Sequence, residues 1–120
     1  RAFADMVPAL IPNQENMRNA ALEGFATATD LADYLVRRGV AFRDAHEVVG
    51  SAVAHCVAES CRLEDLPLST LQGFYHDIDD DVFEVLTLEG SVAARNHVGG
   101  TSPVQVTAAA TAALKLLVLR

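Results

Sequence analysis

The sequence predicts an all-α protein. Its apolar residues recur at three- and four-residue spacing, which places them on one face of a helix. Residue types that favour helix starts and helix ends flank these apolar stretches along the chain. No segment alternates between apolar and polar residues for long enough to indicate a β-strand, and no internal repeat is visible.

The N-terminal segment predicts the end of one helix and the whole of a second. Residues 1–12 are mostly apolar, and Pro8 and Pro12 stop a helix because proline has no amide hydrogen to donate. The chain begins inside this apolar stretch and without a methionine, so we interpret it as a piece of a longer protein. Asn13 is expected to cap the next helix, which Gly24 closes.

A third helix is predicted between Thr27 and Gly39. Thr27 and Asp30 have the spacing of a capping box, whose side chains accept hydrogen bonds from the free amides of the first turn. The apolar face of this helix is expected to be buried and consists of Ala28, Leu31, Ala32, Tyr34 and Leu35. Arg37 and Arg38 complement the negative end of the helix dipole and are interpreted as a solvated helix end, and Gly39 is expected to be left-handed.

A fourth helix follows the short linker 39–41, so it is expected to lie beside the third. Asp44 and Glu47 favour its N-terminus. Its apolar face is predicted from residues at helical spacing, which are Phe42, Ala45, Val49, Ala52, Val53 and Cys56. Cys56 and Cys61 are five residues apart, a spacing at which helical side chains do not face each other. We therefore expect two free thiols rather than a disulfide.

The segment after Cys61 predicts two short helices, around residues 69–75 and over residues 82–86. An acidic run precedes the second of them, and its alternate aspartates, Asp77, Asp79 and Asp81, imitate the opening of a calcium-binding loop. The glycine and the glutamate that such a loop needs further along are both missing. We therefore interpret the aspartates as carboxylates that stabilise a helix N-terminus.

A loop at residues 95–102 contains the paired glycines Gly99–Gly100. Ser102 and Pro103 then have the N-cap and first-turn chemistry of a last helix that runs through the alanines towards the C-terminus. Free amides and the helix dipole make this loop the best local candidate for anion binding. The alternative, a tight turn with a hydroxyl cap, is the interpretation we favour, because Pro103 removes one donor and Arg95 is the only cation nearby in sequence.

Charge and residue spacing exclude several classes of function. Nine Lys and Arg residues against 16 Asp and Glu residues give a net charge of -7, which disfavours a nucleic-acid partner. No signal peptide is visible, and no apolar run reaches the roughly 18–20 residues of a membrane span. His46, His55 and Cys56 are potential metal ligands, but nine residues of helix place the two imidazoles on opposite sides. We therefore predict no membrane partner and no metal site.

Three stretches of this sequence resemble the argininosuccinate lyase family. They are TATDLADYLVRRG at 27–39, FRDAHEVVG at 42–50 and DDVFEVLTLEGSVAARNHVGGTSP at 80–103, in the order and at the spacing of the family. The similarity continues back through Gln14–Met17 and so covers nearly the whole chain. Two departures, Ala41 in place of a usual proline and Cys61 in place of a glycine-containing turn, affect loop stiffness and turn geometry rather than chemistry.

The resemblance implies the C-terminal helical domain of a fumarase/aspartase-like lyase, preceded by the end of a central-bundle helix. Residues 1–26 would be the tail of that central helical-bundle domain, and residues 27–120 the C-terminal domain. The resemblance also implies a cytoplasmic homotetramer of arginine biosynthesis that splits its small-molecule substrate, argininosuccinate, into arginine and fumarate without a cofactor.

The residues that carry this family's chemistry are not found in this sequence. They lie in a histidine region and in a mobile loop with Gly-Ser-Ser-x-Met-Pro, followed by Lys and Asn, whereas the single lysine here is Lys115 near the C-terminus. We therefore assign no catalytic, cofactor-binding or metal-binding residue, and we expect the chain alone to be inactive. The alternative is a non-catalytic helical interaction or structural module, like the crystallins related to this lyase.

Overall fold

The computed structural model describes residues 2–118, in which all regular secondary structure is helical and no β-strand occurs, so the all-α prediction is confirmed. The helices in chain order are α1 (Ala2–Met6), α2 (Gln14–Glu23), α3 (Ala28–Arg37), α4 (Phe42–Glu59), α5 (Leu68–Phe74), α6 (Val82–Val85), α7 (Leu88–Ala94) and α8 (Pro103–Val118). Short 3-10 turns follow α1 at Val7–Ala9 and α4 at Leu63–Asp65. Arg1, with which the predicted first helix begins, lies outside the described residues.

Local capping signals place most of the helix ends correctly. The Oδ1 atom of Asn13 accepts a hydrogen bond from the amide of Asn16 at 3.0 Å at the start of α2, and Gly24 follows its last residue. Gly39 has φ +93° and ends α3. The sequence patterns did not predict α7, although the hydroxyl of Thr87 caps it by accepting a hydrogen bond from the amide of Gly90 at 2.9 Å.

The core lies between α3 and α4 and is closed by the chain from the second 3-10 turn to α6. Its buried residues are Leu31, Ala32, Tyr34, Leu35, Ala45, Val49, Ala52, Cys56, Leu63, Leu66, Leu71, Ile78, Val82 and Leu86. The predicted buried face of α3 is therefore confirmed, with Ala28 partly buried at its edge. On α4 the prediction fails for Phe42, the first residue of the helix, which is 67% exposed and stacks on His46 instead of packing in the core.

The predicted capping box at the start of α3 is wrong, although the position of the helix start is right. Thr27 has helical backbone angles, φ −83° and ψ −3°, and its side chain caps no amide. Thr27 and Asp30 are both buried, and the Asp30 carboxylate accepts a hydrogen bond from Arg95. A guanidinium is a stronger partner for a buried carboxylate than a single backbone amide, so the tertiary contact replaces the local cap.

The terminal helices project from this core. Neither α2 nor α8 has a buried residue, and the chain measures 58 × 30 × 23 Å with a radius of gyration of 18.4 Å. A compact chain of this length would have a radius of gyration of about 14 Å. Large apolar side chains on the projecting parts are exposed, namely Phe3, Met6, Leu10, Ile11, Met17, Leu114, Leu116 and Leu117. Among residues 2–118, no helix is long and apolar enough to cross a membrane.

Candidate functional site

The loop that precedes α8 is a closed turn. Gly99 has φ +84°, and the amide of Gly100 donates to the carbonyl of His97 at 2.8 Å. The amide of Ser102 donates to the carbonyl of Arg95 at 3.4 Å. A Cβ atom on Gly100 would lie 2.0 Å from that same carbonyl oxygen. The first glycine thus supplies a left-handed backbone, and the second allows two backbone segments to approach closely.

Ser102 caps α8 as the sequence predicts. Its side chain is buried at 2% exposure, and its Oγ accepts a hydrogen bond from the amide of Gln105 at 3.4 Å. The same hydroxyl donates to Oδ1 of Asn96 at 3.1 Å, which also accepts from the Gln105 side chain at 3.1 Å. Because the amides of Gly100, Ser102 and Gln105 all donate within the protein and Pro103 has none, few donors are left for an anion. The geometry supports the structural turn.

Arg95, the cation beside this turn, is engaged in a partly buried ion pair. Its Nη1 donates to Oδ1 of Asp30 at 3.1 Å, to Oγ of Ser91 at 2.8 Å and to the Ser91 carbonyl. The Asp30 side chain is only 4% exposed, and its Oδ2 has no hydrogen-bond partner among residues 2–118. The pair joins the first turn of α3 to the end of α7. No local pattern predicts it, because the two residues are 65 positions apart.

A second polar cluster surrounds Arg38 at the end of α3. Its Nη1 donates to Oδ2 of Asp79 at 2.6 Å and to the carbonyl of Asp77 at 2.8 Å, and its Nη2 donates to both oxygens of Asp81 at 2.9 and 3.1 Å. The interpretation of Arg38 as a solvated helix end is therefore wrong. Asp79 and Asp81 neutralise Arg38, and although Asp81 directly precedes α6, its side chain caps no amide of that helix.

Tyr34 connects this cluster to the core. Its hydroxyl donates to Oδ1 of Asp81 at 2.6 Å and accepts from the amide of Asp79 at 3.1 Å, and the Arg38 guanidinium lies 4.7 Å from its ring centre. Burial, reinforced by the hydrogen bond to Asp81, raises the pKa of Tyr34. The hydrogen bond from Tyr34, followed by Arg38, lowers the pKa of Asp81. Both shifts move titration away from neutral pH, and the two hydrogen bonds of the Tyr34 hydroxyl join α3 to the segment before α6.

The potential metal ligands have separate surroundings. His46 stacks on Phe42 with ring centres 6.3 Å apart, His55 contacts the edge of Phe74 at 5.7 Å, and Cys56 lies in the core. Within the described part of the chain, no three His, Cys, Asp or Glu side chains are grouped so that they could hold a metal ion. The polar clusters around Arg95 and Arg38 join segments that are distant in sequence. Neither cluster contains a recognisable base and nucleophile.

Substitution of Gly100 by alanine is expected to lower the free energy of unfolding by roughly 1–3 kcal/mol, because the new methyl group would overlap the Arg95 carbonyl. Gly50 is a matched control, since it is exposed in α4 and a Cβ atom there would meet nothing within 4 Å. Gly50→Ala is expected to stabilise the chain by up to about 1 kcal/mol. Urea unfolding of both variants measures the difference. Equal stability of the Gly100→Ala variant and the parent would contradict the close approach described for this turn.

Three comparisons with known proteins bear on this arrangement of helices. The family model described as "Argininosuccinate lyase C-terminal" matches residues 25–93. The chain is 64% identical to the argininosuccinate lyase of Alcanivorax borkumensis over 117 residues, which are 98% of this chain and 25% of that protein. It is 66% identical to the same enzyme of Nitrosococcus oceani, covering 91% of this chain and 23% of that protein. It is 60% identical to the argininosuccinate lyase of Pseudomonas fluorescens, covering the whole of this chain and 26% of that protein.

Solved structures have the same helical arrangement. A variant EDDS lyase with bound fumarate superposes with a TM-score of 0.79 at 31% identity, over 88% of this chain and 23% of that protein. EDDS lyase in complex with formate superposes with a TM-score of 0.78 at 31% identity, over 87% of this chain and 23% of that protein. The chain thus spans about a quarter of the length of the proteins that it matches.

Proposed function

Because the chain belongs to the argininosuccinate lyase family, we propose that it is the C-terminal part of an enzyme that cleaves argininosuccinate into arginine and fumarate. The reaction is a β-elimination that breaks a carbon–nitrogen bond, and it places the enzyme in arginine biosynthesis. The observation that carries the proposal is the 60–66% identity to three argininosuccinate lyases over 91–100% of the chain.

The role proposed for this chain is structural support rather than chemistry. Asp30 is paired with Arg95 through one of its two oxygens, and Asp81 is paired with Arg38, so each carboxylate already faces a cation. The catalytic base and acid would come from the part of the protein outside this chain. The α3–α4 unit, whose buried residues form one core, would then hold the domain together beside those groups.

The proposed domain boundary lies at residue 26. Residues 1–26 would be the tail of the central helical bundle and 27–120 the C-terminal domain. Two observations favour this division: α2 has no buried residue, whereas the first fully buried side chains follow directly in α3, and the family model begins at residue 25.

The proposed assembly is a homotetramer in the cytoplasm that binds argininosuccinate as its small-molecule substrate. Exposed apolar side chains on α2 and α8 support a larger assembly, because an isolated helix that buries nothing is only marginally stable in water. These helices would be covered by the rest of the enzyme or by its other subunits.

The proposal is tested by adding argininosuccinate to the full-length protein and following the ultraviolet absorbance of the fumarate released. We expect turnover by the full-length protein and none above the blank by the 120-residue chain alone, because the proposal places the groups that lower the barrier by several orders of magnitude outside this chain.

A matched control is the full-length protein truncated after the residue that is position 26 of this chain. This variant keeps the other domains and lacks α3 to α8. Loss of turnover in that variant would agree with a supporting role for this domain. A folded full-length protein that releases no fumarate would contradict the proposed activity and favour the non-catalytic, crystallin-like alternative. Turnover by the isolated chain would show that the catalytic groups have been placed in the wrong part of the protein.

A further inference from the structure

The C-terminus of α4 brings two cysteines together. The helix ends at Glu59, and Ser60 takes the left-handed conformation with φ 54° and ψ 40°. The amide of Ser60 donates to the carbonyl of Val57 at 3.4 Å, and the amide of Cys61 donates to the carbonyl of Cys56 at 3.0 Å. These two hydrogen bonds form a Schellman motif, in which the chain turns back over the last helical turn.

In this motif, the two residues joined by the longer-range hydrogen bond usually have side chains in contact. The end of α3 has the same motif, with Leu35 and Val40 in those positions, and both side chains pack in the core. At the end of α4 the positions are held by Cys56 and Cys61, and both also pack in the core. The predicted pair of free thiols is present in the structure. The spacing rule for a continuous helix does not apply to their side chains, because α4 ends between the two residues.

The two thiols differ in access to solvent. Cys56 is fully buried, and Cys61 is partly exposed. Burial, reinforced by the neighbouring Cys61 thiol, raises the pKa of Cys56 to about 12. A reagent in solution therefore meets Cys61 first, while Cys56 stays protonated and is shielded from direct attack.

We propose that Cys56 and Cys61 form a reversible disulfide site that a small disulfide, such as oxidised glutathione, closes across the end of α4. Both sulfurs are free in this structure. Cys56 and Cys61 hold the two positions of the motif whose side chains commonly meet, and their backbones are joined by a hydrogen bond of 3.0 Å, so the second thiol is present at a high effective concentration.

The exchange takes two steps. The Cys61 thiolate attacks one sulfur of oxidised glutathione and displaces a glutathione thiolate, leaving a mixed disulfide on Cys61. Cys56 then loses its proton to solvent, and its sulfur attacks the Cys61 sulfur and displaces the second glutathione. Two protein thiols are oxidised to one disulfide, and one oxidised glutathione is reduced to two glutathione molecules. The second step is the slower one, because Cys56 is buried and has to release its proton before it can attack.

The test is an equilibration of the chain in buffers with defined ratios of reduced and oxidised glutathione, in native buffer and in concentrated urea. After quenching with acid, mass spectrometry of the intact chain and its peptides shows which sulfurs have reacted. In native buffer we expect a species lighter by two hydrogen atoms, without retained glutathione and with a Cys56–Cys61 link. The equilibrium constant for its formation should be at least about tenfold higher in native buffer than in urea, because folding holds the thiols together.

Two variants separate the roles of the sulfurs. Cys56→Ala should retain one glutathione on Cys61, because no second thiol displaces it. Cys61→Ala should remain unmodified in native buffer, because Cys56 is buried. The native and urea comparison on the unsubstituted chain does not depend on how well these variants fold.

Several results would overturn the proposal. They are a glutathione that stays on Cys61 of the unsubstituted chain, a disulfide-linked dimer, an absence of reaction at every glutathione ratio, and an equilibrium constant that is the same in urea. Each would mean that folding does not hold the two thiols in position to pair.

Discussion

Replacement of Leu35 by alanine is expected to lower the free energy of unfolding by about 2–5 kcal/mol. Leu35 has 0% exposure and packs between α3 and α4, where a lost side chain leaves a cavity that helix movements only partly close. Its carbonyl also accepts the hydrogen bond from Val40 that turns the chain towards α4, so the helix end is anchored at the same residue. Thermal and urea unfolding, followed by circular dichroism, measure the loss.

The next residue provides the matched control. Val36 lies outside the buried face of the same helix and is 38% exposed, so Val36→Ala removes methyl groups that contribute little to the core. We expect it to change stability by less than about 1 kcal/mol. A Leu35→Ala variant that unfolds like the Val36→Ala variant would show that the buried face of α3 has been assigned incorrectly.

Replacement of Arg95 by methionine is expected to cost about 3–5 kcal/mol, because it leaves the Asp30 carboxylate buried without its cation. Asp30 is only 3% exposed, and one of its oxygens already has no partner in the described part of the chain. Methionine keeps much of the apolar stem of arginine, so the loss reflects the missing charge and hydrogen bonds rather than a cavity. Urea unfolding of the variant and the parent measures this loss.

The double substitution Asp30→Asn with Arg95→Met isolates this effect. It removes the charge on both sides, and we expect it to recover a large part of the stability lost in Arg95→Met. Arg18, which pairs with Glu89 on the surface with both side chains more than half exposed, provides a second control. Arg18→Met should unfold much like the parent, because exposed ion pairs contribute little. Equal losses in the Arg18→Met and Arg95→Met variants would contradict a special role for the buried pair.

The structure and the sequence disagree most clearly over polar side chains. Thr27 and Asp30 match a capping box in sequence, yet their side chains are buried and Asp30 binds Arg95. Asp81 precedes a helix and so resembles a cap, yet it binds Tyr34 and Arg38. In both places a charged or hydroxyl partner from a distant segment replaces the weaker local amide. A single sequence gives no indication of which distant residue that will be.

The sequence by itself determined the features that depend on neighbours within one helical turn. Asn13 as a cap, Gly39 as a left-handed helix end and the apolar face of α3 are all of this kind, because each is set by backbone geometry over three to five residues. Long uninterrupted matches also identified the family, and the comparisons confirm it.

Only the tertiary structure decided which segments meet. It joins Asp30 to Arg95 across 65 residues and Tyr34 to Asp81 across 47, and it returns Cys61 to Cys56 around the left-handed Ser60. The physical reason is that local preferences act through the chain itself, whereas these contacts arise only after packing of the core has brought distant segments within hydrogen-bonding distance and removed the competing water.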